Sequence, residues 1–148
     1  MDKLRYVTIY MRFARAPRAW VYCRVAAPDA FALKAQQEKL TAFAEKNHYE
    51  VVGCTSEQGA GTTMERPGLA EITNAVLRGE MDILLVMNVS RLGRDIWKMP
   101  EYIVWLEKHN VEVICLDGTL PIREVRRFLR TKQATQGGAF DGTGSPSL

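Results

Sequence analysis

"MDILLVMNVSRLGRD" (81–95) is the stretch on which the architecture turns. Residues 81–89 form a continuous apolar run, as expected of a strand buried on both faces, and RLGRD (91–95) then turns the chain. A strand of that kind belongs in a parallel sheet covered by helices. Upstream, Pro67 opens a helix at a position where proline is tolerated; it runs to about Arg78 and Gly79 closes it. Downstream, residues 95–109 read as a helix despite Pro100, and "VEVICL" (111–116) as another strand. Further back, "WVYCRV" (20–25) is β-rich and "DAFALKAQQEKLTAFAEKNH" (29–48) is helical. Leu33, Leu40 and Ala44 fall on one stripe of that helix, with Phe43 beside it. "EVVGCT" (50–55) is a strand and "SEQGAGTTMER" (56–66) a polar, glycine-bearing loop. The β-α-β-α-β-α-β order predicts an α/β domain: a mostly parallel, four- to five-stranded sheet with helices on both faces, in three layers.

The chain has 148 residues, 47% hydrophobic and 25% charged, ordinary values for a folded domain with its own core. No apolar stretch reaches the roughly 18 residues of a membrane span, and the apolar segment 6–13 is short and interrupted by Arg12. No membrane partner and a cytoplasmic location are expected. Cys23, Cys54 and Cys115 lack metal-ligand spacing and read as buried, reduced thiols. Neither a metal nor a cofactor is predicted.

Charge is unevenly distributed. Residues 1–19 carry +4, residues 20–118 carry −4 and residues 119–148 carry +3. This suggests a basic N-terminal extension (1–19), a mildly acidic body (20–118), a short basic helix (119–132) containing "IREVRRFLR", and a polar tail (133–148) expected to be disordered. Basic ends suit a polyanion, although solvated ends account equally well for the charge.

In open parallel sheets, ligands bind beyond the carboxyl ends of the strands. The first strand delivers Tyr22, Arg24 and Ala26 there on one face. The second loop delivers Glu57, Gly59, Gly61 and Arg66, and the third delivers Ser90, Arg91 and Arg94. Four arginines converging from three segments of an acidic body call for an anion among them. The guanidinium fork suits phosphate oxygens in particular. The plainer alternative pairs each arginine with Asp29, Glu57, Glu65 or Asp95. Gln36 lies on the buried stripe of the first helix, where its amide needs partners; it is placed to hold the first-strand loop or an arginine. His48 and His109 fall at helix ends, at the opposite edge, and are not expected as general bases.

"YCRVAA", "LKAQQEKL", "EQGAGTTMERPGL" and "SRLGRD", followed by a helix and "VEVICLD", resemble in order and spacing the catalytic domain of the serine recombinases, the resolvase/invertase family. The resemblance covers about residues 20–118. It implies site-specific DNA strand exchange through a phosphoserine link to a 5′ end, with arginines holding the phosphate and stabilising the pentavalent transition state without metal. Arg24, Arg66, Arg91 and Arg94 match the family's phosphate-binding arginines, Gln36 its first-helix glutamine, and Tyr22 its tyrosine.

This sequence departs from the pattern at the attacking position, which is Ala26. Ala27, and Ala60 in the second loop, also stand where the family has hydroxyls, and Glu57 stands at its aspartate position. Substitute nucleophiles are poor: Cys23 points to the opposite face, and Tyr22 lies about 13 Å from residue 26 along an extended strand. Ser56 and Ser90 sit in loops. No helix-turn-helix is read after residue 118. The expectation is therefore a recombinase-type domain inactive in isolation that keeps an arginine pocket. It would touch DNA backbone phosphates weakly or through a partner, as a homo-oligomer or beside an active relative. The alternative is a non-catalytic regulatory or partner-binding α/β module.

Overall fold

The computed structural model describes residues 15–60, 66–93 and 98–119, with 121, 127 and 130. Most of the basic N-terminal extension, Arg94, most of the basic 122–130 segment and the polar tail lie outside the described residues. The elements are β1 (Arg18–Val25), α1 (Ala30–Lys46), β2 (Glu50–Gln58), α2 (Pro67–Leu77), β3 (Ile83–Val86), α3 (Val89–Leu92), α4 (Lys98–Lys108) and β4 (Glu112–Cys115). The four strands form one parallel sheet in the order β2-β1-β3-β4. From β1 the chain moves to one side for β2 and then to the other for β3. The β1–β3 boundary is thus the switch point at which open α/β sheets form crevices.

The alternation of β1 divides its side chains between two cores. Ala19, Val21 and Cys23 meet Leu40 and Ala44 of α1, together with Ile83, Leu85 and Ile114. Trp20 and Tyr22 meet Leu69, Ile72 and Val76 of α2 and Ile103 and Leu106 of α4, on the opposite face. The three-layer expectation holds. Each fully buried leucine or isoleucine contributes about 1.5–3 kcal/mol. Trp20 needs a glycine opposite it: its indole lies over Gly53, and a Cβ there would collide with the ring.

Two strands and one cysteine differ from the sequence expectation. β2 continues through the polar Ser56, Glu57 and Gln58 because they still pair with β1, up to Val25 opposite Gln58. β3 ends at Val86, and the apolar Val89 belongs instead to the short helix α3, packed against the α2–α4 core. The cysteines do not behave alike: Cys23 and Cys115 are buried, whereas Cys54 is exposed on β2, the edge strand of the sheet among the described residues.

The three returns from helix to strand share one geometry. Tyr49 N–H donates to the Ala44 carbonyl (2.9 Å), Glu80 N–H to Ala75 (3.0 Å) and Val111 N–H to Leu106 (2.9 Å). Each return passes through a left-handed residue: His48 (φ 61°), Gly79 (φ 69°) and Asn110 (φ 61°). These are Schellman-type closures, which satisfy the last carbonyls of each helix. At the same end, Asp82 accepts from the Arg18 backbone N–H (2.8 Å) and from the guanidinium groups of Arg15 (2.6 Å) and Arg18 (3.2 Å). Burial works to raise the Asp82 carboxyl, but the hydrogen bonds from Arg15 and Arg18 outweigh it and bring it down to about 2. Among the described residues no helix is long and apolar enough to cross a membrane.

Candidate functional site

Beyond the carboxyl ends of β1 and β3 the structure gathers Arg24, Arg66 and Arg91. Arg24 is 2% exposed and projects from β1 toward the α2–α4 face, in phase with Trp20 and Tyr22. Its Nε donates to the Arg91 carbonyl (2.9 Å), Nη1 to the Gly59 carbonyl (2.8 Å) and Nη2 to the Ser90 carbonyl (2.8 Å). Arg66, 5% exposed, immediately precedes α2. Its Nη1 donates to the Arg91 carbonyl (3.4 Å) and its Nη2 to the Leu92 carbonyl. Arg91 closes the ring, its Nη1 donating back to the Arg24 carbonyl (3.0 Å). Three guanidinium groups thus surround the turn 90–92.

These hydrogen bonds run to backbone carbonyls, and of the carboxylates offered as alternatives Glu65 and Asp95 lie outside the described residues. Asp29 is occupied in capping α1, accepting from Ala32 N–H at 2.9 Å. Glu57 accepts from the Tyr22 hydroxyl (2.5 Å) and from the Gly68 N–H (2.9 Å), so it caps α2 from the neighbouring strand. A Cβ on Gly68 would collide with that carboxylate. Among the described residues, two buried N–H groups have no hydrogen-bond partner: Nε of Arg66 and Nε of Arg91. Buried donors are nearly always met, so these two point to a missing acceptor.

Gln36 is buried, as its place on the stripe requires, and its amide bridges Arg24. The Arg24 N–H donates to Oε1 (3.2 Å) while Nε2 donates to the Arg24 carbonyl (3.1 Å). The β1–β3 ladder ends at Val21 opposite Leu85, so the amide stands where a longer β3 would have paired. Tyr22 lies with the Arg66 guanidinium carbon 5.9 Å from its ring centroid. Burial first, then the hydrogen bond to Glu57, pushes its phenol up, which disfavours it as an attacking oxygen. Ser90 donates to Asn88 Oδ1 at 2.5 Å. Ala26, Ala27 and Ala60 are exposed at the rim. Arg94 lies outside the described residues.

A second buried chain was not read from the sequence: Trp20 Nε1 donates to Thr55 Oγ1 (2.8 Å), which donates to Glu71 Oε1 (2.7 Å). It ties β1 through β2 to α2 and so helps to fix the helix that carries Arg66. The signal for it was a tryptophan with a threonine on the adjoining strand. Among the described residues, no group of three or more His, Cys, Asp or Glu could hold a metal ion.

Comparisons with known proteins bear on this arrangement. Three crystal structures share the fold. One is the N-terminal catalytic domain of TP901-1 integrase (TM-score 0.72, 18% identity, covering 83% of this chain and 99% of that one). Another is a resolvase family site-specific recombinase from Streptococcus pneumoniae (TM-score 0.68, 21% identity, covering 83% and 90%). A third is the C-terminal catalytic domain of ISC1926 TnpA, an IS607-like serine recombinase (TM-score 0.63, 21% identity, covering 86% and 88%). At these identities they speak for the fold. The sequence itself matches the family described as Resolvase, N terminal domain, over residues 19–136. With most of its length inside that match and the parallel sheet expected of it, the chain belongs to the resolvase family of serine recombinases.

Proposed function

We propose that this domain binds a DNA phosphodiester through Arg24, Arg66 and Arg91 but does not cleave it, because Ala26 occupies the position of the attacking serine. The observation that carries the proposal is the pair of buried, unpartnered Nε–H groups on Arg66 and Arg91 beside the β1–β3 switch point. A phosphate oxygen is the acceptor whose charge and geometry match two guanidinium donors. Ala26 is exposed at the end of β1, with no oxygen to form the covalent link. Partners follow from this reading: DNA through its backbone, with a second copy as an oligomeric partner or an active relative, of which only the relative would supply the missing attack.

The test is Ala26→Ser assayed with a nicked suicide DNA substrate on denaturing gels. Wild type is expected to give no covalent adduct and the serine variant a detectable one. An adduct with wild type would overturn the inactive assignment. If Ala26→Ser gives none and wild-type binding to DNA is insensitive to salt, the phosphate site is refuted, since phosphate contacts make affinity fall steeply with salt.

A second reading has its own observation. The arginine hydrogen bonds run to the carbonyls of Gly59, Ser90, Arg91 and Leu92, so the cluster also serves as an internal brace. On that reading the domain is a regulatory or partner-binding module, and salt-independent behaviour toward DNA is its signature.

A further inference from the structure

Two rungs of the same design tie α2, the helix that Arg66 precedes, to the sheet. In each, β1 supplies an aromatic donor, β2 a polar side chain and α2 the end point. Tyr22 donates to Glu57 (2.5 Å), which also accepts from the Gly68 N–H (2.9 Å). Trp20 donates to Thr55 (2.8 Å), which donates to Glu71 (2.7 Å). Trp20 stands opposite Gly53 and Tyr22 opposite Thr55, so each aromatic reaches the residue two places further along β2. Trp20 can do so because Gly53 puts no side chain in the path of its indole. Gly68 and Glu71, three residues apart, share one face of α2. A helix held at one point of its first turn can still pivot; a second point nearly one turn further on removes that freedom.

We propose that Thr55 and Glu71 are positioning residues for Arg66, holding its guanidinium where the Nε–H meets a phosphate oxygen. The assignment rests on the phosphate reading proposed above. The Arg66 side chain makes no capping bond to α2. It reaches across instead to the carbonyls of Arg91 and Leu92. Gly59 lies against its stem, where a Cβ would stand 3.0 Å from Cδ, and the Tyr22 ring centroid is 5.9 Å from its guanidinium carbon. With contacts on these sides, the placement of α2 decides where the Nε–H points. That group is buried and has no partner among the described residues.

Charge and positioning make opposite predictions at Glu71, which is exposed. On charge alone, a carboxylate on the binding domain opposes a polyanion, so its removal should tighten DNA binding. On the positioning assignment, removing its oxygens frees Thr55 and lets α2 pivot, so binding should weaken. Glu71→Gln sheds the charge but keeps an oxygen for Thr55, and so separates the two effects.

The experiment measures the affinity of the full chain for a short DNA duplex by fluorescence anisotropy over a range of salt, with circular dichroism to verify folding. Glu71→Ala is expected to weaken binding about fivefold, the scale of one hydrogen bond, while Glu71→Gln matches or exceeds wild type. Thr55→Val should behave as Glu71→Ala does, and Thr55→Ser should recover wild-type affinity. A folded Glu71→Ala chain that binds as tightly as wild type, or more tightly, overturns the proposal. Should the buried Thr55→Val fail to fold, the Glu71 pair decides. Should wild type show no salt-dependent binding, the phosphate reading falls separately, and the Arg66 Nε–H resonance in nitrogen-edited NMR spectra decides the positioning. It should shift and exchange faster with solvent in Glu71→Ala but not in Glu71→Gln; an unchanged resonance in Glu71→Ala overturns the assignment.

Discussion

Where the strands of this sheet begin, each helix returns through the same closed turn, and a carboxylate, Asp82, receives the nearby cations. Where β1 and β3 end, buried cations face backbone carbonyls and two N–H groups have no partner among the described residues. At the first end the helix closures are local, spanning five residues, and Asp82 meets Arg15 and Arg18 from 64–67 residues away, so the groups named there all find partners. The second borrows acceptors from segments 25–67 residues away in sequence and still falls short. An end that completes itself stabilises the fold. An end that remains incomplete has capacity for something from outside. The difference can be tested from both sides.

Arg24→Ala should have the largest effect. The Gly59 and Ser90 carbonyls lose their arginine donor while the Arg91 carbonyl keeps Arg66, and each unmet buried group costs about 1–3 kcal/mol, so a loss of about 3 kcal/mol is expected in urea denaturation. If Arg24 were held only for a ligand, removing one of three like charges would leave stability unchanged or raise it. Asp82→Asn should cost about 2 kcal/mol, the scale of hydrogen bonds to a charged group. Its pH signature is separate. The folded carboxyl lies below its unfolded value of about 3.9, so the stability it adds is present above that pH and is lost as pH falls through about 2. Acid titration of the denaturation midpoint should show that loss in wild type and not in Asp82→Asn. His48→Gly should have the smallest effect, a gain below about 1 kcal/mol in melting experiments, since glycine adopts positive φ without strain but loses more entropy on folding. A clear destabilisation there would show that the imidazole makes contacts outweighing its backbone strain.

How far the sequence spoke for itself differs between the same two ends. The strand-start end was legible because its rules are local: helix stripes ending at His48, Arg78 and His109 were followed each time by a turn and an apolar run. The convergence of Arg24, Arg66 and Arg91 was legible as well, since β-α-β order alone brings loop ends together. What those side chains would bond was not. Charge patterns suggest carboxylates or anions, whereas a backbone carbonyl carries no signature in composition. The end of β3 was hidden for a related reason. Val86 and Val89 are both apolar, and a short run does not tell a strand from one turn of helix packed on the same core. The exposure of Cys54 depends on which strand lies at the edge, a property of the assembled sheet rather than of "EVVGCT".

The Gln36 amide has one more implication. A strand neighbour can leave only by unzipping its ladder, but a side-chain amide departs by rotating about its own bonds. The peptide of Arg24 is therefore a point in the central strand where pairing can be exchanged by a rotamer change alone. Whatever docks beside it could take over those two hydrogen bonds without disturbing β1 or β3.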